Sequence, residues 1–258
     1  MPGTAAFWRD PALPHVESRR ACNSRACYKP HSHPTFSIGA VDSGGSVFTG
    51  SKDGKVTLGV GSLVLVPAGC VHACNPLPDA RWSYQMLYLD AQWLQANMPL
   101  LCADSASVLH DPVLYRQFCA MNALLFSSAS TTGKQAALLA FLHACAASRT
   151  TSLPSSAAVI PAQLRPVLQA LQIQPLASLE QLSRLAGMSR YQLIRAFRAA
   201  TGMTPHAFQL NLSVNRARSR LQAGTALAQL AHELGFADQS HLQRVFKAHT
   251  GITPGRYR

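Results

Sequence analysis

Two groups of residues have types and spacings that could do chemistry. The first is His31-x-His33, followed further along by Cys70-x-His72-x-Cys74. Alternate residues of an extended strand share a face, so each set would present its side chains together. Imidazoles and thiolates placed like this can hold Zn²⁺ or a softer ion, which makes His31, His33, Cys70, His72 and Cys74 candidate metal ligands. The alternative is a pocket for an organic ligand, lined by His31, His33 and His72 with cysteines serving as small hydrophobes. That is the favoured expectation, and it needs no cofactor. Trp82, Tyr84 and Tyr88 either line such a pocket or fill the core. The second group is Arg190, Tyr191, Ile194, Arg195 and Arg198, matched later by Gln239, Ser240, His241, Arg244 and Lys247. Arginine can bind the guanine edge through two hydrogen bonds, glutamine can do the same to adenine, and an aromatic ring or Ile can meet the thymine methyl.

The second group sits on a repeated pattern. Leu179 to Met188 matches Leu227 to Phe236 at an offset of 48, and Leu193 to Pro205 matches Leu242 to Pro254 at 49. In the first copy, Ser178 with Gln181 and Ser189 with Gln192 are capping-box pairs, each starting a helix. Leu179, Leu182 and Leu185 share one face of the first helix, and small Ser183 permits close approach of the second. Gly187 can take the positive φ that ends the first helix. Leu193 and Phe197 face the core, and Gly202 stops the second helix. In the second copy Ala231 is the small contact, Gly235 makes the turn, Asp238 is the N-cap, and Leu242 and Phe246 are core. Thr204-Pro205 starts a helix running to about Gln222 between the copies. Each copy is therefore predicted to be a helix-turn-helix, with second helices over about 189–201 and 238–250. One such helix alone could be an ordinary solvated face. Two, each preceded by the same signature, favour DNA.

Charge supports this. The chain carries net charge +12. From Pro161 onward there are twelve Lys/Arg against three Asp/Glu, while residues 1–160 hold eleven against eight. A basic surface concentrated in one region implies a polyanionic partner. Only 13% of residues are charged and 48% are apolar, which excludes a disordered chain. No run is long and apolar enough for a membrane span, and the first residues show no secretory signal, so a cytoplasmic protein is expected. The seven cysteines, all between Cys22 and Cys145, do not suggest a disulfide framework.

Residues 149–161 are rich in Ser, Thr, Ala and Pro, and 151–161 is the expected linker. Before it, short apolar runs at Phe36–Val41, Val47–Thr49, Val56–Val60, Leu63–Val66 and Tyr84–Leu89 alternate with turn signals such as Asp42-Ser43-Gly44-Gly45 and Pro67-Ala68-Gly69. They predict an all-β barrel or sandwich. Asp111–Ser127 and Lys134–Ser148 predict two following helices.

Residues 162–258 resemble the AraC/XylS family of transcription regulators. The resemblance rests on R-A-F-R-A-A-T-G-M-T-P, G-F-A-D-Q-S-H-L-Q-R-V-F-K and the closing G-I-T-P-G-R-Y-R. In that family the second helix of each unit enters successive major grooves. Carried over by position, Tyr191, Ile194 and Arg195, then Gln239, Ser240, His241 and Arg244, contact bases, and Ile194 departs from the polar residue often found there. Arg190, Arg198, Lys247 and helix-start N–H groups contact phosphate. Upstream, His31-x-His33 and Gly61-x5-Pro67-x-Gly69-x2-His72 resemble the two motifs of the cupin barrel. Ser37 and Ile38 stand where a metal-binding cupin has Glu, which counts against a cupin oxygenase or isomerase. The resemblance implies an α+β multidomain chain: residues 1–150 form a cupin-like β-barrel with two helices that bind a small-molecule effector, and 162–258 form an all-α domain with two helix-turn-helix units. It implies a non-enzymatic regulator that binds double-stranded DNA, with a homodimer and RNA polymerase contact as further expectations.

Overall fold

The computed structural model describes residues 3–51, 54–102, 105–149, 160–173 and 177–258. Most of the expected linker, 151–159, lies outside the described residues. The chain divides into two units. One holds the N-terminal half; the other holds the residues from Ile160 onward together with a short earlier segment, Cys27–Ser32.

The N-terminal unit contains strands β1 (Thr4–Arg9), β2 (Val16–Ser24), β3 (Thr35–Ser43), β4 (Ser46–Ser51), β5 (Gly54–Leu58), β6 (Leu63–Val66), β7 (Ala73–Pro76), β8 (Trp82–Asp90) and β9 (Ser107–Leu109). They form a six-stranded sheet in the order β1-β2-β8-β3-β6-β9 and a three-stranded sheet in the order β5-β4-β7. The pairings are antiparallel, a cupin-like arrangement. Helices α1 (Ala91–Asn97), α2 (Pro112–Leu125) and α3 (Thr131–Arg149) belong to the same unit.

The core forms where one face of the large sheet meets these helices. Phe36, Ile38, Leu65, Leu87 and Leu89 pack there with Leu94, Leu114, Phe118, Phe141 and Leu142. A polar chain runs through the same face: Ser18 Oγ donates to Asn122 Oδ1 (2.5 Å), Asn122 donates to Gln85 Oε1, and Gln85 Nε2 donates to Asp42 Oδ1 (2.9 Å). Because each buried amide is partnered, it does not carry the cost of an orphaned polar group.

The opposite face of the large sheet follows from register. Directly paired residues of antiparallel strands point the same way. One row is Arg9, Glu17, Tyr88, Ser37 and Val66. The next is Phe7, Arg19, Met86, Gly39 and Val64. Gly39 makes room there, since a Cβ on it would lie 2.8 Å from the Met86 sulfur.

The C-terminal unit is helical: α4 (Arg165–Ile173), α5 (Leu179–Ala186), α6 (Arg190–Thr201), α7 (Pro205–Gln222), α8 (Leu227–Glu233), α9 (Gln239–Thr250) and α10 (Pro254–Tyr257). Leu164, Val167, Leu171, Leu182, Leu193 and Phe197 form the core of its first half. Among the described residues no helix is long and apolar enough to cross a membrane.

Candidate nucleic-acid interface and barrel site

The capping chemistry expected of the repeat is present. Ser178 Oγ accepts from the Gln181 N–H (3.2 Å), and the Gln181 side chain accepts from the Ser178 N–H (2.8 Å). Ser189 and Gln192 do the same at α6, at 3.3 and 2.9 Å. Asp238 caps α9 through the His241 N–H (2.6 Å). The turns are made by Gly187 at φ 62° and Gly235 at φ 74°, where only glycine is unstrained. Both copies close alike: Thr201 Oγ donates to the carbonyl of Phe197, and Thr250 Oγ to that of Phe246, each at 2.8 Å.

With Leu193 and Phe197 buried, α6 presents Arg190, Tyr191, Arg195 and Arg198 to solvent. Tyr191 is 84% exposed, a large aromatic ring with nothing covering it. With Leu242 and Phe246 buried, α9 presents Gln239, Ser240, Arg244 and Lys247. Arg190 lies 3.7 Å from Glu180, an exposed pair that leaves its charge largely available.

Two expected base-contacting residues are placed differently. Ile194 is half-buried and lines a cleft with Leu179 and Leu182 of α5 and Thr204 and Pro205 at the start of α7. Its apolar side chain faces that cleft. His241 is half-buried, its ring 5.3 Å from that of Phe236 and its Nδ1 3.4 Å from the Ala237 N–H. It helps close the turn before α9.

In the barrel, the structure separates the histidines that the sequence grouped. His31 belongs to the C-terminal unit, and its Nδ1 meets the carbonyl of Lys29 (2.8 Å). His33 and His72 do come together, with ring centroids 5.0 Å apart. His33 Nδ1 meets the Thr35 carbonyl (2.8 Å) and Nε2 the Ser37 hydroxyl (3.3 Å). His72 Nδ1 meets the Cys70 carbonyl (3.0 Å), and burial lowers its pKa, so the ring is held neutral. A carbonyl at Nδ1 places the proton of the neutral His72 ring there, so its Nε2 is an acceptor; His33 makes the same kind of Nδ1–carbonyl contact. Gly50 permits the arrangement: at φ +124° it passes so close that a Cβ would lie 2.8 Å from that of His72.

The metal expectation fails on geometry. Strand β7 begins only at Ala73, and Cys70 ends a turn in which its N–H donates to the Pro67 carbonyl (3.2 Å), so the alternation assumed for Cys70, His72 and Cys74 does not hold. Cys74 shares a hydrogen bond with Ser46 Oγ (2.8 Å), and burial raises its pKa to about 11; burial raises Cys70 as well. Both stay thiols at neutral pH. Among the described residues no three His, Cys, Asp or Glu side chains gather in a way that could hold a metal.

Trp82 and Tyr84 are buried and stacked on each other at 4.1 Å. Tyr84 lies two rows from Tyr88 along β8, so it is Tyr88 that meets His33, at 5.5 Å between ring centroids. The sequence reading missed Arg9, Glu17 and Arg19. Arg9 Nε and Glu17 Oε2 pair at 2.6 Å in the row of Tyr88 and Ser37. Arg19 is 6% exposed in the next row, its guanidinium 5.6 Å from the centres of both the Phe7 and Tyr84 rings. The signal available was the charge density of Val16-Glu-Ser-Arg-Arg within an extended stretch.

A model for an AraC-like ligand binding domain matches residues 13–144, and one for a helix-turn-helix domain matches 182–258. The chain belongs to the AraC family of transcription regulators. Like others of that family, it joins a ligand-binding domain to a DNA-binding domain. It is 23% identical over 252 residues to the uncharacterized HTH-type transcriptional regulator YbfI of Bacillus subtilis, covering 93% of this chain and 90% of that protein. It is 29% identical over 82 residues to the regulator MtrA of Neisseria gonorrhoeae, a match that spans 31% of this chain and 27% of that one. Among solved structures, wild-type ToxT of Vibrio cholerae, bound to an unsaturated fatty acid, superposes with TM-score 0.58 at 12% identity, covering 99% of this chain and 94% of that one. At that identity the likeness is one of fold.

Proposed function

We propose that this AraC-family regulator binds its operator through α6 and α9 in successive major grooves, and that a small molecule in the barrel controls binding. Tyr191, Arg195, Gln239, Ser240 and Arg244 take the base contacts; Arg190, Arg198, Lys247 and helix-start N–H groups take the phosphates. The observation that carries this is the pair of exposed faces, rich in arginine and amide side chains, on the second helix of each copy. Enrichment of duplexes from a random pool, followed by mobility shifts across a salt series, tests it. One enriched motif with two half-sites is expected; binding without sequence preference would overturn the reading.

The effector site is the inner face around His33, His72, Ser37 and Tyr88. The neutral His72 imidazole beside His33 suits a hydroxyl-bearing or amine-bearing head, with Phe48, Met86 and Val41 as apolar neighbours. The fatty acid of the solved Vibrio cholerae protein is likewise polar at one end and apolar along its length. Thermal shift against a small-molecule panel, with His72→Ala as control, tests this; a ligand that shifts both proteins equally binds elsewhere.

The outer side of α3 exposes Ala136, Ala140 and Ala147, small side chains suited to a second copy, beside His143, and this supports a homodimer. RNA polymerase contact, a cytoplasmic location and a non-enzymatic role complete the reading, as expected of a DNA-binding regulator.

A further inference from the structure

Cys27–Ser32 lies in sequence between β2 and β3, yet it packs as part of the DNA-binding unit. Ser32 is buried and held at three atoms. Its N–H donates to Asn211 Oδ1 (3.2 Å), its hydroxyl accepts from Asn211 Nδ2 (3.0 Å), and its carbonyl accepts from Asn215 Nδ2 (2.8 Å). Asn211 is 1% exposed in the middle of α7, so both atoms of a buried amide bond to one residue of this segment. The Lys29 N–H donates to the Ala248 carbonyl (3.0 Å) in the last turn of α9, where a helix has carbonyls without internal partners. The Tyr28 ring covers the end of that helix: a Cβ on Gly251 would stand 2.6 Å from the Tyr28 hydroxyl.

We propose that Cys27–Ser32 is a positioning strap for the second helix-turn-helix unit, with Asn211, Asn215 and Lys29 setting the placement of recognition helix α9. The strap meets the C-terminal end of α9, whereas Gln239, Ser240 and Arg244 project from its first turns. It therefore leaves the base-contacting residues open and acts on where they stand. A buried Asn deprived of its partners carries a desolvation cost, so α7 and the strap hold together or rearrange together. The strap ends at the Ser32–His33 peptide bond, and His33 is the barrel imidazole, its carbonyl bonded to the Gly69 N–H (2.9 Å). A ligand that displaces His33 pulls on Ser32; this link rests on the effector site proposed above.

The test uses the full chain, no effector, and a duplex enriched by binding to the wild type. Asn211→Ala and Ser32→Ala should each weaken binding at least fivefold, with little further loss in the double variant. The loss should fall on one half-site: base-substitution penalties at the α9 half-site shrink, and those at the α6 half-site stay. Ser32→Thr, which keeps the hydroxyl, should restore binding. Should Asn211→Ala fail to fold, Asn215→Ala removes one bond from a half-buried position, and amide hydrogen exchange at Lys29 and Ser32 reports whether the strap is released. Released amides with affinity within twofold of wild type, or equal loss at both half-sites, would overturn the strap. Unchanged exchange at Ser32 in His33→Ala would overturn only the link to the barrel, so the two readings fail separately.

Discussion

Ser183 Oγ in α5 is buried without a hydrogen-bond partner, and at the matching position of the second copy, in α8, stands Ala231. Both residues hold the close approach of the first helix to the second. Ala231 does so with no polar atom to desolvate, so the hydroxyl of Ser183 adds cost without a bond. Ser183→Ala should raise stability by about 1 kcal/mol and leave DNA affinity unchanged. Chemical denaturation checks this; a loss of more than about 1 kcal/mol would show that the hydroxyl has a partner in solution.

The second copy has lost something the first retains. Ser178 caps α5, but its counterpart at the start of α8 is Ala226, which makes no side-chain cap. The glutamine of the capping box survives as Gln229 and bonds Glu233 instead (2.8 Å). Ala226 already has the extended backbone of an N-cap, φ −66° and ψ 140°. Ala226→Ser should therefore rebuild the box and add about 0.5–2 kcal/mol. Ala226→Val, which cannot cap, serves as the control and should not stabilise.

Stability should fall on mild acidification. His15, His72 and His249 all have pKa values lowered chiefly by burial, with the charge of Lys29 adding to the effect at His249. A histidine whose folded pKa lies below its unfolded value binds fewer protons folded than unfolded between the two. Stability is then fully present above about pH 6.5 and is lost as pH falls below it toward the folded values. Thermal midpoints should drop between about pH 7.5 and 5.5, and the slope should flatten in His249→Gln. An unchanged slope in that variant would assign the effect to the other two.

How much of this was legible depended on whether local chemistry or tertiary packing decided each residue. The helix-turn-helix units were legible because Ser178, Ser189, Asp238, Gly187 and Gly235 fix helix ends through contacts a few residues away. Strands such as β3 and β6 were legible as apolar runs between turns. Strands β1 and β2 were not, because Ser18 and Arg19 are buried by partners far along the chain, Asn122 and Tyr84. His31 and His33 looked like one pair by spacing. What divides them is the strap, whose partners Asn211 and Ala248 lie in the other half of the sequence. Ile194 is a base reader by helix position, whereas its half-burial beside α5 and α7 is set by tertiary packing that the sequence does not show.

The exposed cations divide into two kinds that one experiment can separate. Arg195 and Arg244 stand exposed mid-helix on α6 and α9, and are the residues proposed to reach base edges. Lys247 lies in the last turn of α9 and is proposed to meet the phosphate backbone as a point charge. Arg195→Ala and Arg244→Ala should each cost about 1–3 kcal/mol and relax the preference at particular base pairs, in different half-sites. Lys247→Ala should weaken all duplexes alike and lower the slope of log affinity against log salt by about 1. Competition with single-base variants of the enriched duplex, repeated at several salt concentrations, distinguishes these. If Arg195→Ala weakened every duplex equally and reduced the salt slope, its guanidinium would be a phosphate ligand, and Tyr191 would be left as the base reader of α6.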